Sequence, residues 1–457
     1  MLNKTKNTLN RKLRPNVQPS KGISFPDYSD ITLDNGANLL VIHNEKIPAV
    51  TVRFVFKDAG SYFDESKFGL ASVTSEMLTR GTLTRTLAQI AEEIDFLGGT
   101  LASGCDFDGS FVTLSALKKH LDKALEVFFD VIHAPKFSDD ELHKVTEQRI
   151  ASLIQAKDDA DYLCGVLFNK LVYSPLPYAN QMDGTEESLP AITIADLKSF
   201  YDAYYSTSNL IIAFVGDITY DEALEIVNQN LSLKYPGAAD KNVSSENIGQ
   251  YKPGQIYISE KENATQSNLK VGHIGIKRNN PDFIAVTVMN TILGGYYGAR
   301  INRSLREVHG YTYGARCSFS SKLYGGDYCV ETDVGNEFTA HSIHLIKDEL
   351  EKIVNEKVPT EELKNVQNYI SGTFPLQLET ANNVASRIIG LKLYGLPKNY
   401  YDDYIAKINS LTSTDILKTA QKYIHPDNLC VAISGNYDAI RKSLKEFNPE
   451  SEPGIIL

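Results

Sequence analysis

Apolar and polar positions change rhythm repeatedly along the chain. Asn38-Leu-Leu-Val-Ile42 and Val50-Thr-Val-Arg-Phe-Val-Phe56 are rich in β-branched residues and predict strands. Residues 68–79 predict a helix, as does Leu87–Phe96, the second ended by Gly98-Gly99 where glycine supplies a left-handed cap. A strand over Ser110–Ser115 and a helix over Lys119–Ile132 follow. A long helix then starts after Phe137-Ser138, its acidic first turn Asp139-Asp140 suited to the helix dipole. Strands and helices are interspersed without strict β-α-β alternation, which predicts an α+β sandwich and not a doubly wound sheet.

The pattern then repeats. Thr193-Ile-Ala-Asp196 through Tyr204, leading into Asn209-Leu-Ile-Ile-Ala213-Phe-Val-Gly216, recurs as Thr412-Ser-Thr-Asp415 through Tyr423 and Asn428-Leu-Cys-Val-Ala432-Ile-Ser-Gly435. One ungapped offset of 219 carries Thr193 to Thr412, Tyr204 to Tyr423 and Gly216 to Gly435. Upstream, Asp139-Asp-Glu-Leu142-His-Lys-Val145 matches Thr360-Glu-Glu-Leu363-Lys-Asn-Val366 at an offset of 221. The chain is therefore read as a tandem duplication of a unit of about 220 residues. The expected divisions are a basic arm over 1–28, a first unit over 29–235, a polar, turn-forming linker over 236–254, and a second unit over 255–457.

Composition narrows the classes. Apolar residues make up 42% and charged residues 23% of 457, the balance of an ordinary folded protein. The net charge of −11 argues against nucleic acid as the main partner. No run approaches the ~18 apolar residues of a membrane span. Five cysteines without CxxC spacing read as reduced, buried side chains. The acid-free start carrying Lys4, Arg11 and Arg14 lacks the apolar core of a secretory signal, so a cytoplasmic location is expected, with a mitochondrial one as the other possibility.

Two internal stretches carry candidate chemistry. The first is Phe68-Gly-Leu-Ala71-Ser72-Val-Thr-Ser75-Glu76-Met-Leu-Thr-Arg-Gly81-Thr82, preceded by Ala59-Gly-Ser61 and followed by Ile90-Ala-Glu-Glu-Ile-Asp95 through Gly98-Gly99. The second is Leu293-Gly-Gly-Tyr-Tyr-Gly-Ala-Arg300 with Leu305-Arg306-Glu307-Val-His-Gly310-Tyr-Thr-Tyr313. Together they resemble, in order and spacing over residues 29 to 440, the signature segments of the pitrilysin/insulinase-type zinc metallopeptidases. Active members of that family carry H-x-x-E-H on the first helix, where two histidines on one face hold zinc and the carboxylate between them acts as base. Set on that motif, the ligand-bearing positions here are Ser72, Ser75 and Glu76. The family's distal glutamate would fall near Ala151-Ser152. The expectation is that this chain holds no metal. Among nine histidines the closest pair, His341 and His344, reads as a solvated helix face.

The second motif is intact. The resemblance implies that Arg306 and Tyr313 reach from a helix and the following strand towards a peptide bound at zinc, the tyrosine donating to the oxyanion and the arginine holding carbonyls. It also places Gly294-Gly295 near a substrate chamber, although the two glycines equally serve to end a helix over Ile284–Leu293. The strand around Leu101-Ala102-Ser103-Gly-Cys105 is implied to pair with substrate backbone. Lost zinc ligands with a kept Arg/Tyr pair resemble the non-catalytic chains of two-chain family members. The implied function is a zinc-free subunit of a heterodimeric peptidase, with two homologous α/β-sandwich domains. Zinc would be carried by a homologous H-x-x-E-H partner, peptides would be the substrates, and a homodimer is possible in isolation. The alternatives are a structural core-type subunit and a peptide-binding module without hydrolysis.

Overall fold

A computed structural model describes residues 25–233, 249–444 and 454–455. Most of the basic arm and residues 236–248 of the expected linker lie outside the described residues.

The first half builds a six-stranded sheet in the order β1-β2-β6-β3-β5-β4. Its strands are β1 (Ser29–Thr32), β2 (Asn38–His43), β3 (Ala49–Lys57), β4 (Thr100–Cys105), β5 (Gly109–Leu117) and β6 (Leu210–Gly216). The second half repeats it as β12-β7-β11-β8-β10-β9, from β7 (Ile256–Glu260), β8 (Gln266–Ile274), β9 (Ala315–Ser321), β10 (Gly326–Gly335), β11 (Cys430–Gly435) and β12 (Gly454–Ile455). The copies differ at one edge. There β1 runs antiparallel to β2, whereas β12, from the far end of the chain, runs parallel to β7.

The helices of the first half are α1 (Leu70–Met77), α2 (Leu87–Phe96), α3 (Leu121–His133), α4 (Asp139–Ala156), α5 (Ala160–Tyr173), α6 (Ile194–Tyr204) and α7 (Tyr220–Asn230). In the second they are α8 (Phe283–Leu293), the short α9 (Arg300–Asn302), α10 (Thr339–Asn355), α11 (Thr360–Thr373), α12 (Ala381–Leu393), α13 (Tyr404–Ser410) and α14 (Ser413–Tyr423). The repeat extends to individual hydrogen bonds. Thr193 opens α6 with a reciprocal box to Asp196, and Thr412 opens α14 with the same box to Asp415, each threonine N–H donating at 2.8 and 2.9 Å respectively. The fold is α+β.

One face of each sheet is covered by helices of its own half: Phe54, Val52 and Leu114 pack on Phe128, while Val271 and Val330 pack among Met289, Ile346 and Val366. The other face is covered by the opposite half. Leu167, Phe168 and Leu171 of α5 lie on Tyr257, Cys430 and Ala432 of the second sheet. Val384, Ile388 and Ile389 of α12 lie on Leu40, Val55 and Ile211 of the first. The same offset of 221 that relates α4 to α11 relates the starts of α5 and α12, Ala160 and Ala381. Each unit thus lends the same helix to its twin, and each buried large apolar side chain contributes roughly 1.5–3 kcal/mol.

The two sheets also meet through their hairpin ends. Asp108, between β4 and β5, accepts from the Tyr178 hydroxyl and, at 3.0 Å, from the Leu323 N–H of the β9–β10 turn. Burial pushes the Asp108 carboxyl up to about 6, opposed by those bonds. Among the described residues no helix is long and apolar enough to cross a membrane.

Candidate functional site

Ser72, Ser75 and Glu76 lie on one face of α1, as a spacing of three and four residues requires. The start of α1 is fixed by Asp64, which accepts from the N–H groups of Gly69 (2.9 Å) and Ala71 (2.7 Å). Burial raises the Asp64 carboxyl to about 7, against the pull of those two bonds and of Arg149. Ser75 is wholly buried and donates to the Gly104 carbonyl of β4 at 2.7 Å, so its hydroxyl is engaged in tying helix to strand.

The face is closed by Arg149, from α4. Its Nε and Nη2 donate to Glu76 Oε2 at 3.0 and 2.8 Å, and its Nη1 donates to Ser72 Oγ at 3.0 Å. Arg80 takes the other oxygen of Glu76, and Asp183 lies 3.7 Å from Arg149. A guanidinium therefore joins the side chains at the two positions where the motif would place imidazoles. The one carboxylate of the motif is bound on both oxygens, and a serine hydroxyl is a weak zinc ligand beside imidazole. These residues do not fit zinc.

Arg149 is the residue that sequence reasoning missed. The family's distal glutamate position falls near Ala151-Ser152, but both side chains are exposed, and Ser152 donates to its own helix at Gln148. The signal was present: Leu142, Val145 and Leu153 mark the buried stripe of α4, and Arg149 interrupts that stripe with a charge.

Ala102 and Ser103 lie on β4, opposite Thr113 and Val112 of β5, and β4 is the edge of its sheet. Ala102 is exposed, and Ser103 Oγ lies 3.4 Å from Thr79 Oγ1. The outer main-chain groups of this strand face no other strand among the described residues.

In the second half, Gly294 and Gly295 end α8. A Cβ on Gly294 would stand 2.3 Å from Cys317 Sγ and 2.7 Å from the Cys317 nitrogen, so glycine lets the helix end touch β9, where Cys317 N–H donates to the Gly294 carbonyl. Arg306 sits in a wide π turn, Arg303–Val308, and its guanidinium lies over the ring of Tyr297, 4.7 Å from the centroid. Gly310, at φ +69, then reverses the chain. Tyr313 was expected in a strand but occupies the loop before it, because Thr312 Oγ1 accepts from Gly314 N–H at 3.0 Å and delays β9 to Ala315. Its side chain is 86% exposed. No hydrogen bond or ring contact joins Arg306 to Tyr313 among the described residues, and none joins either to Ser72, Ser75 or Glu76.

His341 is engaged by the Tyr311 hydroxyl at 2.9 Å, within a cluster that stacks Tyr311 on Phe338. Among the described residues no group of three or more His, Cys, Asp and Glu is placed to hold a metal ion.

Duplicated sheets, a signature helix whose metal face is closed by arginine, and a glycine-flanked Arg/Tyr segment define an insulinase-type peptidase scaffold. The chain belongs to the M16, or insulinase, peptidase family: residues 39–167 match the family model "Insulinase (Peptidase family M16)" and residues 191–370 match "Peptidase M16 inactive domain". Among its relatives is the "Non-peptidase homolog YmxG" of Helicobacter pylori, 24% identical over 407 residues, covering 88% of this chain and 93% of that protein. A probable mitochondrial-processing peptidase subunit beta of Arabidopsis thaliana is 21% identical over 434 residues, 90% of this chain and 79% of its own. The crystal structure of a peptidase M16 inactive domain from Pseudomonas fluorescens superposes with a TM-score of 0.84 at 25% identity, covering 90% of this chain and 98% of that one.

Proposed function

We propose that this chain is the zinc-free subunit of a two-chain peptidase that acts on peptides, the zinc being carried by a homologous partner. The observation that carries the reading is a contrast within one molecule. The metal face is occupied by Arg149, while Tyr313 is held by an ordered turn with its hydroxyl unpaired among the described residues and open to a second molecule. The names of relatives such as the processing peptidase subunits support a partner chain.

In this reading Tyr313 donates to the oxyanion that develops on the partner's substrate, and Arg306, splayed on Tyr297, holds substrate carbonyls. Gly294-Gly295 lie beside the path of the peptide, and β4, through Ala102 and Ser103, offers an edge for strand addition.

The test is steady-state kinetics on the chain mixed with a zinc-bearing H-x-x-E-H sister chain. Tyr313→Phe is expected to lower kcat by roughly 10²–10³-fold with little change in KM, the usual loss for one oxyanion donor. Arg306→Lys is expected to act more on KM. If both variants assemble normally and keep full kcat/KM, the catalytic role is wrong and a structural-core subunit is the better reading.

A further inference from the structure

The second half holds a cleft at the place where the first half holds the closed Arg149 face. In the first half that place is the meeting of α1, β4 and α4; in the second it is the meeting of α8, β9 and α11, and the 221 offset sets Ile370 against Arg149. Instead of a half-buried ion pair, a cavity of about 510 Å³ opens there, running from Asn290 and Ser318 to Tyr369 and Arg387. A second cavity of about 620 Å³ adjoins it, and Arg278, Thr373, Gln377, Arg387 and Tyr401 line both.

The charges of this cleft are one-sided. Arg278 and Arg387 stand in its shared wall, and among the described residues no aspartate or glutamate lines either cavity, in a chain whose net charge is −11. Neither arginine makes an ion pair among the described residues. Arg278 lies 3.9 Å from the Phe283 ring centroid and 3.5 Å from the Tyr400 hydroxyl. Arg387 lies over Phe374 and Tyr401, donating to Gln377 Oε1 and, at 3.5 Å, to the Tyr401 hydroxyl. Both guanidinium groups lie against aromatic rings, which positions their donors but neutralises nothing. Phe283, Phe319 and Tyr369 supply apolar wall beyond them.

We propose that this cleft is a binding site for a carboxylate carried on an aromatic or apolar body. The two arginines take the carboxylate as charge-assisted hydrogen-bond donors, and the aromatic wall takes the body. A carboxylate of this kind has two sources on a peptide, the free C-terminus after an aromatic residue or an acidic side chain beside one. The proposal rests on the peptide reading above only for the carrier; the cleft is tested without it.

The chain contains no tryptophan, so indole fluorescence reports on a ligand alone. Titrating the full chain into N-acetyltryptophan and into its uncharged amide is expected to show about ten- to a hundredfold tighter binding of the acid, the range for hydrogen bonds to a charged group. Arg387→Gln and, separately, Arg278→Gln are each expected to bring the acid down towards the amide while far-ultraviolet circular dichroism stays unchanged. The acid-versus-amide comparison on the unaltered chain needs no variant to fold. Short tryptophan-ended peptides then separate the sources: one with a free terminus, one amidated with an aspartate beside the indole. Equal affinity for acid and amide, binding of neither at millimolar concentration, or selectivity retained in both folded variants would overturn the proposal. Full kcat/KM of the Tyr313→Phe and Arg306→Lys variants in the two-chain assay, with acid binding intact, would count against the peptidase reading and leave this one standing.

Discussion

The same corner of the fold occurs twice in this molecule and has been used in opposite ways. In the first half, α4 presents Arg149 to α1, and Glu76 and Ser72 absorb it, so the face is closed and electrically settled. In the second half the corresponding residue is Ile370, the corner is open, and its two arginines come from outside the repeat's core, one from the loop after β8 and one from α12. The difference shows that duplication preserved backbone while the polar chemistry on it diverged freely. Register and topology are fixed by many weak contacts, but a site is fixed by two or three side chains.

The largest expected effect breaks the interlock between the halves. Phe168→Ala on α5 and Ile388→Ala on α12 should each cost about 2–5 kcal/mol, as for other fully buried side chains. Because each helix seals the other unit's sheet, denaturant unfolding followed by several probes should remain one transition in both variants. Two separated transitions would show that the halves are independent.

Next comes His273, buried on β8 where the strand register sets Phe56 of β3. Its Nδ1 donates to the Ile274 carbonyl at 2.8 Å and its Nε2 accepts from His425 N–H at 3.3 Å, an arrangement that only the neutral ring satisfies. Burial lowers its pKa to about 4, with the Ile274 bond opposing. A group depressed on folding gives stability that is present above the unfolded value near 6.5 and is lost as pH falls through about 4. The loss amounts to about 3 kcal/mol, measured as the change in unfolding free energy across that window. His273→Phe, the residue used by the twin, should flatten that slope; an unchanged pH dependence would assign it to other groups.

A smaller effect sharpens the contrast at α1. Arg149→Leu should destabilise by about 1–2 kcal/mol, since Glu76 keeps Arg80 and both sites are partly open to solvent. Restoring Ser72→His, Ser75→Glu and Glu76→His should give little zinc by metal analysis while Arg149 remains, and more once Arg149→Glu is added. Stoichiometric zinc in the triple variant would mean that Arg149 does not guard the face.

Much of the backbone was legible in the chain itself. Leu87–Phe96 forms the helix its glycine stop predicts, and β2, β3, β6 and β11 fall where β-branched runs stand. The repeat was legible because one offset carries capping residues and buried strands together. The helix exchange was not, since the apolar stripe of α5 states that a sheet covers it but not which one. Nor did spacing reveal where Arg306 rests: its place over the Tyr297 ring depends on a π turn that residue intervals do not encode.

The lent helices also set the order in which the molecule can be completed. While the ribosome is still making the second half, the first sheet has all its strands but presents Leu40, Val55 and Ile211 uncovered until α12 has emerged. The nascent first unit therefore carries an apolar face across the synthesis of more than 150 residues, from Gly216 to Leu393, a span in which holding chaperones have something to grip. A gene cut between its two repeats would yield two products, each missing the cover that the other was built to supply.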